Sequence, residues 1–186
     1  VDWCEENDVK AFQVNALGAR HVAEACRAVG ARLIHISTDY VFDGTKQTPY
    51  VEDDVTGPLN VYGISKLAGE LYVRNTHARH YIVRTSGLYG LHPCWGKGRN
   101  FVEAMLELAK EKSELRVVSD EILTPTFTGD LAAQLGALIE AEPPAGIYHA
   151  TNAGECSWHE FAETIFDMAG ISIEVKKTTA AEWDAP

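Results

Sequence analysis

At 186 residues with 46% apolar side chains, the chain can build one domain, or one domain with a small appendage, around a real core. Its 16 basic and 27 acidic side chains leave a net charge of −11, which argues against nucleic acid or an anionic membrane surface as a partner. No stretch approaches the roughly 18 uninterrupted apolar residues of a membrane helix, so no membrane association is expected.

The chain opens on Val1 without a signal-peptide pattern and reads as starting inside a longer protein. Cys4, Cys26, Cys94 and Cys156 are scattered with no Cys-x-x-Cys pair, so reduced cytoplasmic thiols are expected. His77 and His80 have no Cys or carboxylate at ligand spacing, so no metal site is expected.

In chain order, residues 8–29 read as a helix, with Val9, Phe12, Leu17 and Val22 on one side and Gly30 as its stop. Residues 32–36 form a short apolar run and read as a buried strand closed by Ser37-Thr38-Asp39. Residues 39–58 are rich in Asp, Gly, Pro and Thr; loops of that length are usually functional. A helix follows at about 61–75, a strand at about 80–85, a Gly/Pro-rich loop over 87–98 and a helix at about 100–111. Then come a strand at 115–118, a helix at 128–141, a strand at 147–150, a helix at about 158–169 capped by Ser157, and a strand near 172–177.

Helices alternating with short buried strands predict an α/β fold with a doubly wound parallel sheet. Such a dinucleotide-binding (Rossmann-like) sheet opens with a strand, a Gly-rich turn and a helix whose N-terminus takes the pyrophosphate. That N-terminal unit is missing from the sequence; Gly96-Lys97-Gly98 lacks the third glycine and follows a loop.

The chemistry centres on Tyr62-Gly63-Ile64-Ser65-Lys66. A Tyr and a Lys four apart on a helix share one face, and the ammonium there favours phenolate, making the phenol a usable proton donor near neutrality. Thr38, at the end of the preceding strand, supplies a hydroxyl that would hold a carbonyl oxygen against that phenol. The bland alternative is a surface Lys over a half-buried Tyr. Lys97, Arg99 and Asn100 form a basic island before a helix start, a pattern suited to a diphosphate and equally to a solvated loop.

Two runs, Ser37-Thr38-Asp39-Tyr40-Val41-Phe42-Asp43-Gly44 and Pro58-Leu59-Asn60-Val61-Tyr62-Gly63-Ile64-Ser65-Lys66-Leu67-Ala68-Gly69-Glu70, resemble the dTDP-4-dehydrorhamnose reductase family of the extended short-chain dehydrogenase/reductases. Arg84-Thr85-Ser86, Gly98-Arg99-Asn100-Phe101-Val102, Thr124-Pro125-Thr126 and Gly146-Ile147-Tyr148-His149 extend the resemblance along most of the chain. It implies reduction by NADPH or NADH of the C4 ketone of a 4-keto-6-deoxy sugar nucleotide, foremost dTDP-4-dehydro-β-L-rhamnose, giving dTDP-L-rhamnose. Thr38, Tyr62, Lys66 and Asn15 would be catalytic, Asn15 by anchoring a proton-relay water. Ser37, Thr38, Tyr62 and Lys66 would contact the cofactor. Tyr40, Lys97, Arg99 and Asn100 would contact the sugar nucleotide.

By the same resemblance, residues 1–86 and about 128–150 would belong to the cofactor domain, and about 87–127 and 151–186 to a smaller substrate-binding lobe. A homodimer is left open. The chain alone, lacking the phosphate cradle, is expected to be inactive. Two other readings stand beside this one: a non-catalytic regulatory subunit, and a sugar-nucleotide epimerase. One departure is Gly87, where many members carry a Trp against the sugar; an open pocket wall is the expected result. Trp3, Trp95, Trp158 and Trp183 are expected to be packing residues.

Overall fold

The computed structural model describes residues 1–92 and 98–183. Three helical pieces open the chain: α1 (Asp2–Glu6), α2 (Asp8–Phe12) and α3 (Ala19–Val29), the last two joined by a π-helical turn at Gln13–Gly18. The single regular helix expected over 8–29 is therefore widened in its middle. Gly30, at φ 69°, ends α3 in the left-handed region.

Strand β1 (Leu33–Thr38) runs into a 3-10 turn at Asp39–Val41. Helix α4 (Val61–Thr76) starts at Asn60, whose side-chain oxygen accepts from the Gly63 N–H, and strand β2 (His80–Thr85) follows. Next come β3 (Leu88–Tyr89), α5 (Phe101–Glu111), β4 (Glu114–Val118), β5 (Ile122–Leu123) and β6 (Thr126–Phe127). Helix α6 (Thr128–Ala141), β7 (Gly146–His149), β8 (Cys156–Ser157), α7 (Trp158–Ala169) and β9 (Glu174–Thr178) complete the chain with a 3-10 turn at Ala180–Glu182.

The fold is mixed α/β with parallel strands, but its strands do not form one continuous sheet. A three-stranded parallel sheet has the order β1-β2-β7, and β3-β6, β4-β9 and β5-β8 form separate pairs. Only β5-β8 is antiparallel among the described residues. The two-residue strands β3, β5, β6 and β8 correct the sequence reading, which leaves those segments as loop. Two residues carry too little alternation to mark a strand.

Residues divide into two compact units, Val1–Thr85 with Leu138–Ala150, and Ser86–Ala137 with Thr151–Pro186. In the first, Ala19 and Ala23 of α3, Leu33 of β1, Val73 of α4 and Ile82 of β2 form the core. Small residues on α3 let the helices lie close to the sheet. In the second, Met105, Leu115, Val117, Ala162, Ile165 and Phe166 form a separate core between α5, β4 and α7. Capping boxes at Asn100/Glu103 and Ser157/Glu160 start α5 and α7. Of the four tryptophans, Trp158 packs on Phe101 with ring centres 4.7 Å apart. Trp3 and Trp183 are 56% and 49% exposed, against the expectation of packing, and Trp95 lies outside the described residues.

Candidate active site

The β1-β2 register fixes which side chains share a face. Leu33 N–H donates to the Arg79 carbonyl, so the backbone groups of Leu33, His35 and Ser37 point to β2. Side chains alternate along the strand: Leu33 enters the core under α3 and α4, and Ser37 reaches Glu70 on α4. Thr38 is the register partner of Thr85, and both are buried at the C-terminal ends of their strands.

Thr38 Oγ1 donates to Asp39 Oδ1 at 3.0 Å and accepts from the Tyr40 N–H at 3.3 Å. The Tyr40 ring meets the Tyr62 ring edge-on, centres 5.7 Å apart. Gly63 makes this approach feasible: a Cβ there would lie 2.2 Å from the Tyr40 carbonyl oxygen. The end of β1 therefore brings Thr38, Tyr40 and Tyr62 together. Lys66, one turn further along α4, donates from Nζ to the Ile36 carbonyl at 2.5 Å. Burial pulls its ammonium below its ordinary value, and the Glu70 carboxylate opposes that shift.

Asn15 sits in the π-helical turn, and its Nδ2 donates to Ser65 Oγ at 2.9 Å. Ser65 in turn donates to the Tyr62 carbonyl. A Cβ on Gly69 would fall 2.3 Å from the Asn15 carbonyl oxygen, so α4 lies directly on the widened turn. His35 faces the same helix, 3.3 Å from that Cβ position, and its buried Nε2 has no hydrogen-bond partner among the described residues. Burial and the neighbouring Lys66 charge push its pKa down to about 4, so it is neutral at pH 7.

Ser37 points away from the strand-end cluster. Its hydroxyl donates to Glu70 Oε1 at 2.5 Å, and Arg84 grips the same carboxylate through Nε at 3.0 Å and Nη2 at 2.7 Å. Arg84 and Glu70 side chains are 4% and 1% exposed. Arg84 also donates to the Glu52 carbonyl, and Glu52 Oε1 accepts the His149 N–H. This network, which clamps the 39–58 loop to the ends of β2 and β7, is absent from the sequence reading. Its one signal is Glu70 standing a single turn after Lys66 on α4.

In the second unit, Asn100 caps α5: its Oδ1 accepts from Glu103 N–H and its Nδ2 donates to the Gly90 carbonyl. Arg99 pairs with Glu107 at 2.6 Å on the surface. Lys97 lies outside the described residues. Gly87 has φ 54°, and a Cβ there would meet Leu123 Cδ1 at 2.9 Å and the Thr124 carbonyl at 3.1 Å. A Cβ at this position therefore requires Leu123 or the neighbouring backbone to shift. Among the described residues no three His, Cys, Asp or Glu side chains gather as a metal site, and no helix is long and apolar enough to cross a membrane.

Parallel strands with intervening helices define the protein as mixed α/β, with Thr38 at the end of β1 and Tyr62 and Lys66 on the adjoining α4. The family described as RmlD substrate binding domain matches residues 1–186, and the chain belongs to that family. It is 46% identical over 183 residues to the spore coat polysaccharide biosynthesis protein SpsK of Bacillus subtilis (strain 168), covering 98% of this chain and 62% of that protein. It is 45% identical over 186 residues to a dTDP-4-dehydrorhamnose reductase of Streptomyces griseus, covering 97% of this chain and 60% of that one. The crystal structure of dTDP-4-dehydrorhamnose reductase from Bacillus anthracis str. Ames in complex with NADP superposes with a TM-score of 0.93 at 44% identity, covering 100% of this chain and 64% of that chain. The chain thus spans somewhat less than two thirds of these relatives.

Proposed function

We propose that the whole protein reduces the C4 ketone of a 4-keto-6-deoxy sugar nucleotide with NADPH or NADH, converting dTDP-4-dehydro-β-L-rhamnose to dTDP-L-rhamnose in the cytoplasm. The reading is carried by one observation: Thr38, Tyr40 and Tyr62 gather at the end of β1, with Lys66 one turn along α4. Family membership supports the same reading.

The residues present fit the nicotinamide end of the cofactor. Tyr62 and Lys66 offer donors beside the strand end, and Thr85 contributes a buried hydroxyl with no hydrogen-bond partner among the described residues. When bound, the reduced nicotinamide supplies a hydride. Thr38 would turn its hydroxyl hydrogen from Asp39 Oδ1 to the ketone oxygen, with the Tyr40 N–H holding its Oγ1 in orientation. Tyr62 delivers the proton that neutralises the developing alkoxide, and the Lys66 charge favours its release. Ser37 takes no part in this scheme because its hydroxyl is committed to Glu70. Asn15 acts by fixing α4 through Ser65, and Asn100 by starting α5. The first compact unit would hold the cofactor and the second the sugar nucleotide.

Tyr62→Phe in the whole protein tests the scheme. Turnover of NADPH with dTDP-4-dehydrorhamnose should fall about 10²–10⁴-fold, the usual range for a general acid, with the fold intact. A variant within threefold of the parent would remove Tyr62 from the mechanism.

A further inference from the structure

The 39–58 loop leaves the end of β1 through the turn that carries Tyr40 and returns just ahead of α4, which carries Tyr62. Its middle is braced on itself. Asp43 Oδ1 accepts from the Thr45 N–H at 3.1 Å, the Thr45 hydroxyl at 2.9 Å and the Tyr50 hydroxyl at 2.7 Å. Asp54 Oδ2 accepts from Lys46 Nζ at 2.5 Å and from the Val51 N–H at 2.7 Å, and the Gly57 N–H donates to the Val41 carbonyl. A loop packed by its own side chains moves as a body, so a shift in its middle is carried to Tyr40 and not absorbed along the chain.

Glu52 joins this body to the sheet. Its carbonyl accepts from Arg84 Nη1 at 3.3 Å, and its Oε1 accepts from the His149 N–H at 2.9 Å. The Ala150 N–H donates to the Arg84 carbonyl, so in the parallel β2-β7 ladder the His149 N–H faces away from β2 and meets Glu52. That bond holds the Glu52 carboxyl below the usual carboxylate range. Phe42, two positions after Tyr40, is gripped by the same pair of residues. Its ring stacks on Tyr50 with centres 4.2 Å apart, meets the His149 ring edge-on at 5.7 Å and lies 5.1 Å from the Arg84 guanidinium.

We infer that Glu52 is a positioning residue for the proposed reduction: by tying the braced loop to His149 and Arg84 it fixes Tyr40 against Tyr62, and with Tyr40 the Thr38 hydroxyl. Its kinetic meaning rests on the reductase reading, whereas the placement of the two rings does not. The hold is a hydrogen bond from a backbone N–H to one side-chain oxygen, which a glutamine can also accept and an alanine cannot.

The test uses the whole protein with Glu52→Ala, Glu52→Gln and Tyr40→Ala, each rate expressed per folded molecule. Glu52→Ala should lower kcat with dTDP-4-dehydrorhamnose about 10–100-fold, the loss expected when reacting groups shift by about 1 Å, and leave the KM for NADPH within about threefold of the parent. Glu52→Gln should restore kcat to within about threefold of the parent. The double variant Glu52→Ala/Tyr40→Ala should lose little more than the worse of its two single variants, because one residue acts through the other. Without substrate, the ring resonances of Tyr40 and Tyr62 should shift in Glu52→Ala and hold their parent positions in Glu52→Gln. An unchanged kcat in Glu52→Ala, equal losses in the Ala and Gln variants, or losses that multiply in the double variant would each overturn the positioning role. A parent protein that shows no NADPH turnover, with the ring resonances behaving as stated, would sink the reductase reading and leave the placement by Glu52 standing.

Discussion

His35 shows how one buried side chain couples stability to pH. Its folded pKa of about 4 lies below the ordinary 6.5, so between these values the unfolded chain takes up a proton that the native state excludes. Stability is then complete above pH 6.5 and falls as the pH drops toward 4, by up to about 3 kcal/mol. His35→Leu should flatten this fall in urea midpoints measured from pH 7 to pH 4.5; an equally steep profile would assign it to other groups, such as His149, whose burial also lowers its pKa. Gly87 makes a second residue-scale case. With φ at 54° and Leu123, Thr124 and Pro125 against its Cβ position, Gly87→Trp should destabilise by more than about 1 kcal/mol. An unchanged melting temperature together with tighter sugar-nucleotide binding would show that the backbone relaxes to accept the indole.

Between elements, the firmest tie in the first unit is the one Glu70 makes from α4 to Arg84 on β2 and Ser37 on β1. Removing one partner of so buried a pair leaves an uncompensated charge, and Arg84→Leu should cost about 3–5 kcal/mol. The double variant Glu70→Leu/Arg84→Leu should recover much of that loss in chemical unfolding; strict additivity would mean that the two do not act as a pair. Little of this tie was legible in the sequence, because Ser37 beside Thr38 reads as one of two neighbouring hydroxyls until the strand's alternation sends it to the opposite face. The elements themselves were easier to find. Apolar runs outlined β1 and β2, Ser157 marked a helix start, and Gly30 marked an end. The π-helical turn at Gln13–Gly18 left no such mark; there Gly69 of α4 lies close against the Asn15 carbonyl, a contact between residues far apart in sequence. Asn100 was legible as a polar residue before a helix, but its amide serves the cap and the Gly90 carbonyl.

For the molecule as a whole, the side of β1 away from β2 has no strand paired to it among the described residues. An unpaired edge beside apolar Val14 and Val22 favours self-association, and no described Gly-rich turn from strand to helix offers a pyrophosphate site. Expressed alone, this chain should elute as oligomers and show no saturable NADPH fluorescence at micromolar concentrations. A monodisperse monomer that binds NADPH tightly would contradict both expectations. The division into units has a different kind of consequence. Residues 138–150 complete the first unit only after 86–137 of the second have been made, and the second in turn waits for the segment beginning at Thr151. On the ribosome, where domains ordinarily fold in order from the N-terminus, neither unit here can finish before the other has begun. β2 emerges with one neighbour, β1, already present, and remains without β7 while more than fifty further residues are translated. The interval in which a nascent chain is open to chaperones or to misassembly is thus written into the order of its segments.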